Sequence, residues 1–305
     1  MSLSRFFGIN VLLGGCLASV AASGADMPVK APVPAPVPAV SWTGLYAGVN
    51  AGYAWSGDTS VNSRARVIFD PGLIDPTAPT TAGAALTTPI PVGNRNGFIG
   101  GGQIGYNYQV RNFVAGIEAD IQWLSGRGSG TIAISAPLTL FPGNFTNASL
   151  TATNSIDWLG TVRGRVGLTI TPSLLVYGTG GLAYGGVSSS TSLGEAFAGP
   201  VVIGATGTFP SFASFSQTRT GWTAGTGAEW MFSGNWSAKL EYLHYDLGSA
   251  SYGTTVSNFA VAGAPVPVGT LLYTLGQTSS TSFRGDIVRV GLNYKFGVPP
   301  MVAKY

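Results

Sequence analysis

The stretch FVAGIEADIQW at residues 113–123 decides the fold. Its apolar side chains fall on every second residue from Phe113 to Trp123, and the positions between them include Glu118 and Asp120. Strict alternation over this length predicts a β-strand with one apolar and one polar face. Because the polar face bears two carboxylates, we expect the apolar face to meet lipid and the polar face to line a lumen.

Further stretches repeat this period of two along the chain. They lie near residues 45–55, 104–110, 156–170, 174–186, 219–230, 236–242 and 288–296. Short turns are expected near residues 109–112, 171–173 and 233–235, and long loops at roughly 57–95, 125–154, 188–218 and 250–283. Short periplasmic turns that alternate with long external loops are typical of bacterial outer-membrane proteins. The sequence therefore predicts an all-β fold, a closed antiparallel eight-stranded transmembrane β-barrel with four long external loops and three short periplasmic turns.

The composition favours a protein that crosses a membrane with strands. Only 9% of the 305 residues are charged, against about 25% in a typical soluble domain. Outside the N-terminus, no run of 18 apolar residues is available for a membrane helix. The net charge of +3 comes from scattered Lys and Arg residues, which form no basic patch for nucleic acid. The single cysteine, Cys16, excludes a disulfide framework within the chain.

The N-terminus has the pattern of a secretory signal. Arg5 is followed by an apolar run and by small residues up to Ala25, after which cleavage is expected. A lipoprotein box at Cys16 is the alternative, but the apolar run continues past it. The predicted domains are a signal peptide (1–25), a Pro-rich periplasmic leader (26–40), the outer-membrane β-barrel (41–297) and a short periplasmic tail (298–305).

Aromatic residues are expected to form two girdles, since ring systems prefer the two interfaces of a bilayer. A simple preference of aromatics for strands would not predict clustering at both ends. The periplasmic group is Tyr106, Tyr108, Phe113, Phe232, Trp236, Tyr294 and Phe296. The outer group is Tyr53, Trp55, Trp123, Trp158, Tyr184 and Trp222.

Several stretches together resemble a known family. They are ADMPVKAP (25–32), WTGLYAG (42–48), GGGQIGYNY (100–108), GIEADI (116–121), DWLGTVRGRVG (157–167) and VRVGLNYKFG (288–297). These stretches are similar to the outer-membrane immunogenic protein family of alpha-proteobacteria, which are small porin-family barrels. The resemblance spans nearly all of the mature chain except the long loops. It implies an eight-stranded barrel in the outer membrane of a Gram-negative bacterium, exposed at the cell surface and often immunodominant; some relatives are described as haem binders.

The last strand resembles the C-terminal signal that the barrel-assembly machinery reads. The matching residues are Arg289, Gly291, Tyr294 and Phe296, and they would form an edge strand able to add to another sheet. The usual signal ends at the last Phe, whereas this chain continues to Tyr305. The partners expected are this machinery during biogenesis, together with outer-membrane lipid and lipopolysaccharide.

Charged strand residues are expected to point into the lumen, because a charge on the lipid face would cost about 2–4 kcal/mol at mid-membrane. An eight-stranded barrel is only wide enough for side chains to fill, so opposite charges should pair into a plug. The alternative is a narrow, gated or weakly anion-preferring pore, which the small positive excess and the inward glycines favour. The predicted lumen network is Glu118, Asp120, Arg163, Arg165, Arg219, Glu229, Lys239, Glu241, Arg289 and Lys295.

The single histidine, His244, gives little support for catalysis. It shares a strand face with Asp246, a possible dyad, but no serine motif accompanies the pair. We therefore predict no enzyme activity, no catalytic residue, no cofactor and no metal site. The expected function is a structural and surface-interaction role in the cell envelope. A narrow porin-like channel is the alternative; a further one is binding of haem or another ligand by the external loops, with His244 as axial ligand beside Phe212 and Phe215.

Overall fold

The computed structural model covers residues 40–57, 60–69, 89–137, 145–198, 208–253, 257–263 and 266–297. The predicted signal peptide, its cleavage site, nearly all of the Pro-rich leader, and the tail lie outside these ranges. Among the covered residues, no helix is long and apolar enough to cross a membrane.

Twelve strands lie within the covered ranges. They are β1 (Gly44–Ser56), β2 (Ser60–Phe69), β3 (Pro89–Pro91), β4 (Gly97–Val110), β5 (Phe113–Leu124), β6 (Arg127–Pro137), β7 (Phe145–Thr171), β8 (Leu174–Ala198), β9 (Thr208–Ser233), β10 (Trp236–Gly253), β11 (Ser257–Gly263) and β12 (Val266–Phe296).

Eight of these strands close into a ring, which confirms the predicted eight-stranded antiparallel barrel. The order is β1-β4-β5-β7-β8-β9-β10-β12, and β12 pairs back onto β1 from Leu45 opposite Phe296 to Ser56 opposite Gly285. The three short turns lie where the sequence predicts them, at residues 111–112, 172–173 and 234–235. Arg111 and Gly234 turn the chain with positive φ angles of 55° and 50°. We call this rim the turn end of the barrel.

The outer wall of the barrel is apolar from the turn end to the outer aromatics, and it carries the expected aromatics at both levels. Phe98, Ile117 and Ile170 expose 75%, 67% and 64% of their surface, as side chains that face lipid would. Trp236 and Tyr294 pack edge to face at the turn end, with ring centroids 5.0 Å apart. Tyr53 packs on Phe98 in the same way at the other level, at 5.4 Å.

The four long connections contain far more strand than the predicted loops. Strands β7, β8, β9 and β12 run for 27, 25, 26 and 31 residues, whereas crossing a bilayer takes about 9–11. Their distal parts pair with one another, and β2, β3, β6 and β11 add to them. The sequence analysis did not identify these strands, because Ser, Thr, Ala and Gly alternate there with little difference in hydrophobicity. We call the part of the sheet beyond the outer aromatics the extension.

The extension has an apolar interior of its own. One cluster joins its strands above the barrel mouth, with Ile132 and Ile134 packed against it. Its buried members are Val61, Ile90, Val92, Ala148, Leu150, Ala152 and Leu193. Burial of these side chains holds the distal strands together.

Candidate functional site in the barrel interior

The turn end of the lumen is closed by a lower apolar layer, which consists of Trp42, Val114, Leu175, Tyr177 and Met231. Trp42 precedes β1 and lies at the turn end of the lumen. Its backbone N–H donates to Gln109 Oε1 at 2.8 Å and its indole Nε1–H donates to the Pro172 carbonyl at 3.2 Å. Sequence reasoning missed this residue, although Trp42 shares the even-numbered, inward face of β1.

Above it lies a charged layer in which eight of the ten predicted lumen residues meet. Each of them is at most 5% exposed. The four carboxylates and four cations are Glu118, Asp120, Glu229, Glu241, Arg163, Arg165, Lys239 and Arg289.

Arg163 and Arg289 form the centre of the charged layer. Arg163 lies 2.5 Å from Glu118, 2.9 Å from Asp120 and 3.1 Å from Glu241. Arg289 reaches the last two carboxylates as well, at 2.8 Å and 2.6 Å. Two guanidinium groups thus share three carboxylates, so that neither arginine depends on a single partner.

The remaining pairs surround this centre. Lys239 Nζ donates to both oxygens of Glu118 at 2.8 Å and 3.0 Å. Arg165 donates to Glu229 at 2.7 Å, and Ser237 donates to the other oxygen of Glu229 at 2.6 Å. Every charged side chain of the layer therefore has a partner of opposite charge.

Two residues of the predicted network, Arg219 and Lys295, lie elsewhere, which corrects the sequence prediction. Arg219 donates to the carbonyls of Leu247 and Ser249 at 3.3 Å and 2.8 Å, where β9 and β10 separate. Lys295 donates to the Ser41 carbonyl. Without these two cations, the layer holds equal numbers of positive and negative groups. The positive excess that favoured an anion-preferring pore is absent from it.

The inward glycines do not leave a channel either, because neighbouring side chains, several of them tyrosines, occupy the space beside them. Tyr177 lies opposite Gly227, where a Cβ would come within 2.6 Å of the phenol oxygen. Tyr46 lies opposite Gly105, donates to Glu118 at 2.7 Å and accepts from Arg165 at 2.9 Å. Sequence reasoning counted the glycines on this face and missed the tyrosines that fill their space.

An upper apolar layer closes the other side of the charged layer. It joins inward residues of six barrel strands in one buried cluster. Its members are Ala54, Ile99, Ile156, Leu159, Ala183, Val187, Leu243, Tyr245, Leu247, Ala250, Phe283 and Ile287. The charges are thus enclosed between two apolar layers, which the sequence analysis did not predict.

His244 faces outward at the level of the outer aromatics, not into the lumen. Its Nδ1 lies 2.9 Å from Asp286 Oδ1, and its ring lies 5.4 Å from that of Trp222. Asp246, the possible dyad partner, instead accepts from the backbone N–H of Gly248 at 2.7 Å. The possible dyad that the sequence analysis considered is therefore not formed by these two residues.

The three residues considered for haem binding do not converge. Phe212 is 68% exposed on the outer wall, while Phe215 faces inward and stacks on Tyr252 at 6.1 Å. Phe215 is nine positions from Ala224, the cross-strand neighbour of His244, which corresponds to about 30 Å along a strand. Among the covered residues, no three His, Cys, Asp or Glu side chains are grouped to hold a metal ion.

The residues of the assembly signal divide between the two faces of β12. Arg289 belongs to the charged layer, and Tyr294 and Phe296 face outward with rings 5.2 Å apart. Gly291 pairs with Asn50 of β1 and Lys239 of β10. In the closed barrel this strand therefore has partners on both sides.

Known proteins resemble the chain over most of its length. The 31 kDa outer-membrane immunogenic protein of Brucella melitensis biotype 1 is 36% identical over 304 residues, which cover 97% of each chain. The protein of the same name from Brucella suis biovar 1 gives the same values. The 22 kDa outer membrane protein of Rhizobium leguminosarum bv. viciae is 31% identical over 162 residues, which cover 52% of this chain and 58% of that one.

The family model of the outer membrane protein beta-barrel domain matches residues 15–296. This match and the relatives confirm the resemblance found in the sequence, and the closed ring of strands agrees with both. The chain therefore belongs to the outer membrane protein beta-barrel domain family and is an outer-membrane β-barrel protein of a Gram-negative bacterium.

Proposed function

We propose that the protein is a closed, non-enzymatic scaffold that holds the extension at the cell surface, where the extension interacts with its surroundings. The turn end then faces the periplasm and the extension faces outward. The observation that carries the proposal is the charged layer, in which Arg163 and Arg289 are at most 1% exposed and fully paired.

A conducting state would have to break this layer. An ion in transit would separate charges that lie 2.5–3.1 Å apart, in an interior where each unpaired charge is strongly destabilising. It would also have to cross the apolar layers on both sides. These barriers favour a plug over the narrow pore that the sequence left open.

The extension supports the surface role. Strand pairing and an interior cluster give it a fixed shape, whereas loops without secondary structure would have to be ordered on binding. The names of the Brucella relatives describe outer-membrane immunogenic proteins, and exposure at the cell surface would be common to them and to this chain.

The test is single-channel conductance of the chain from Asp26 onward, refolded into a planar bilayer. Folding is checked beforehand by the heat-modifiable migration of the barrel in a denaturing gel. We expect no conductance steps. Flotation of the refolded chain with liposomes, and protection of its barrel strands from added trypsin, show that insertion worked. Wild-type steps that change when Arg165 is neutralised would contradict the proposal and establish a pore.

We also propose that the barrel-assembly machinery reads β12 before the barrel closes, when its edges are still free. Tyr294 and Phe296 face outward and would remain accessible to that partner. Replacing both by Ala should slow assembly in cells. The same variant should still refold in detergent if the residues serve recognition and not stability.

A further inference from the structure

Outward residues of four neighbouring strands form a regular array at the base of the extension, on β6, β7, β8 and β9. We call this array the hydroxyl face. Ten of its twelve positions are Ser or Thr. Its first row is Arg127, Ser155, Ser188 and Ser216; its second is Ser129, Thr153, Ser190 and Ser214; its third is Thr131, Thr151, Ser192 and Phe212.

The array covers a defined area. Strand spacing and the repeat along each strand give it dimensions of about 14 Å by about 13 Å. A groove of about 280 Å³ runs over its first two rows. The alternate residues between the rows, such as Asn154 and Ser189, are buried in the interior, so the hydroxyls form one surface of the wall.

The hydroxyls are already ordered by one another. Thr153 Oγ1 lies 2.6 Å from Ser190 Oγ, and Ser155 Oγ lies 2.7 Å from Ser188 Oγ. Ser155 also donates to Asp157 at the lower edge, at 3.2 Å. A hydroxyl has one donor and two acceptor positions, so each pair keeps capacity for a further ligand.

A cation and an aromatic ring occupy opposite corners of the face. Arg127 is exposed, and in the covered part of the chain it has no hydrogen bond or ion pair. An arginine fork suits the oxygens of a phosphate group. Phe212, at the diagonal corner, exposes 68% of its surface and offers a flat apolar surface to the C–H side of a sugar ring.

The position of the face just above the outer aromatics indicates which class of ligand lies beside it. Its first row starts just above the outer aromatics, since Ser188 follows Gly186, against which the Trp158 indole packs. At this level outside the cell, the outer leaflet presents the phosphorylated saccharides of lipopolysaccharide. On β10 and β12 the outer wall also carries hydroxyl pairs, Ser249 opposite Ser282 and Ser251 opposite Ser280, which lie beyond Arg284 and Asp286. The hydroxyl face differs from that wall in having Arg127 and Phe212 at its corners.

We propose that the hydroxyl face binds the phosphorylated core saccharide of lipopolysaccharide, with Arg127 on a phosphate and the Ser and Thr hydroxyls on the sugar. This inference rests on the proposed outward orientation of the extension. It names a site and a ligand chemistry for the surface role, and it leaves the closure of the lumen unaffected.

The binding test uses the refolded full mature chain in zwitterionic detergent, titrated calorimetrically with delipidated, phosphorylated core oligosaccharide. We expect saturable binding that intact lipopolysaccharide competes away. Arg127→Gln should weaken it roughly tenfold, the scale of one charge-assisted hydrogen bond. Ser190→Tyr with Ser214→Tyr should fill the groove and abolish binding. Thr278→Tyr, an exposed change on β12, is the matched control and should bind like wild type.

The outcomes separate this proposal from the proposed function. No oligosaccharide binding by the wild type, or equal binding by all variants, would overturn it; so would binding of lipid A alone that competes with the oligosaccharide. If the double variant does not fold, the affinity of Arg127→Gln for the oligosaccharide decides the test: weaker binding than wild type supports the proposal, and equal binding contradicts it. Labelling of Thr278→Cys, an exposed position outside the hydroxyl face, in intact cells with an impermeant thiol reagent tests the orientation alone, and absence of label would contradict the proposed function.

Discussion

The part of the barrel between the turn end and the outer aromatics, called here the membrane section, and the extension are built from the same strands with opposite patterns. Along the lower part of β7, the inward residues include Arg163 and Arg165, and the outward residues include Val166. Along its upper part, Leu150 and Ala152 point inward, while Ser149, Thr151 and Thr153 form the outer wall. The pattern inverts near the irregularity between Ile156 and Trp158.

The inversion shows that the surroundings decide which face is apolar. Lipid requires an apolar wall and leaves the charges to the interior, whereas water outside the membrane allows an ordinary apolar interior. Stability in the two sections therefore depends on different interactions. In the barrel, ion pairs lie between two apolar layers, whereas the interior of the extension combines apolar packing with buried hydrogen bonds between uncharged side chains. Four substitutions test this difference, in order of decreasing expected effect.

The largest effect is expected for Arg163→Met. The substitution leaves Glu118, Asp120 and Glu241 with fewer partners in a closed layer, and breaking a buried ion pair costs about 3–5 kcal/mol. Urea unfolding followed by tryptophan fluorescence would measure the loss. Arg64→Met, on the exposed side of β2 in the extension, is the control and should change stability by less than about 0.5 kcal/mol. Equal losses of stability for the two substitutions would contradict the proposed difference between the two sections.

Leu150→Ala should destabilise the extension and leave the membrane section intact. Truncation of a buried Leu costs about 2–5 kcal/mol, and here the cavity would lie among the distal strands. We expect faster tryptic cleavage after Arg127, with an unchanged unfolding midpoint for the barrel. Ser149→Ala changes the outward neighbour and should cleave at the wild-type rate. A lowered barrel midpoint would mean that the two sections unfold as one unit.

Gly227→Ala tests whether tyrosine rings fill the lumen. The new methyl group would meet the Tyr177 phenol, and overpacking of this kind costs about 1–3 kcal/mol. Gly178→Ala, on the outer wall, is the control, because its nearest neighbour would be a carbonyl oxygen at 3.9 Å. Both variants are compared in urea unfolding. Unchanged stability of Gly227→Ala would indicate free space beside Tyr177 and would support a channel through the lumen.

The smallest effect is expected for Asp286→Asn on the outer wall. His244 is 34% and Asp286 22% exposed in their side chains, so solvent weakens their attraction. A hydrogen-bonded pair at this exposure contributes at most about 1 kcal/mol, even with a charged histidine, well below the effect of Arg163→Met. The unfolding midpoint measures the difference. A loss as large as that in the charged layer would show that burial is not what makes the lumen pairs strong.

The membrane section could be predicted from the sequence because its two faces contrast strongly. Phe113 to Trp123 alternate between lipid and lumen as expected, and the three turns follow from short polar interruptions. Trp42 and Tyr46 were missed because their neighbours Gly44 and Gly48 suggested an open face. The extension was missed because Ser149–Thr153 alternate with Ala and Leu, a pattern with weak contrast that resembles a loop.

The membership of the charged layer could be predicted only in part. The odd or even position of a residue along a strand predicts whether its side chain points inward or outward. It does not predict how far along the lumen the side chain lies. Arg219 lies on the inward face of β9, yet it is above the layer and beside a register shift between Asp246 and Ser249. Gly248, with a φ of 75°, is the local signal for that irregularity. Lys295 lies too close to the turn end to reach the layer.

The paired strands of the extension also determine what an antibody could recognise there. An antibody on the hydroxyl face would contact Thr153, Ser190 and Ser214, which are distant in sequence and adjacent only across strands. Its epitope would therefore be discontinuous, and a linear peptide from any one strand would compete poorly. Exposed positions could also vary between strains without disturbing Leu150 and Leu193 beneath them, so antigenic drift and a constant fold can coexist in this wall.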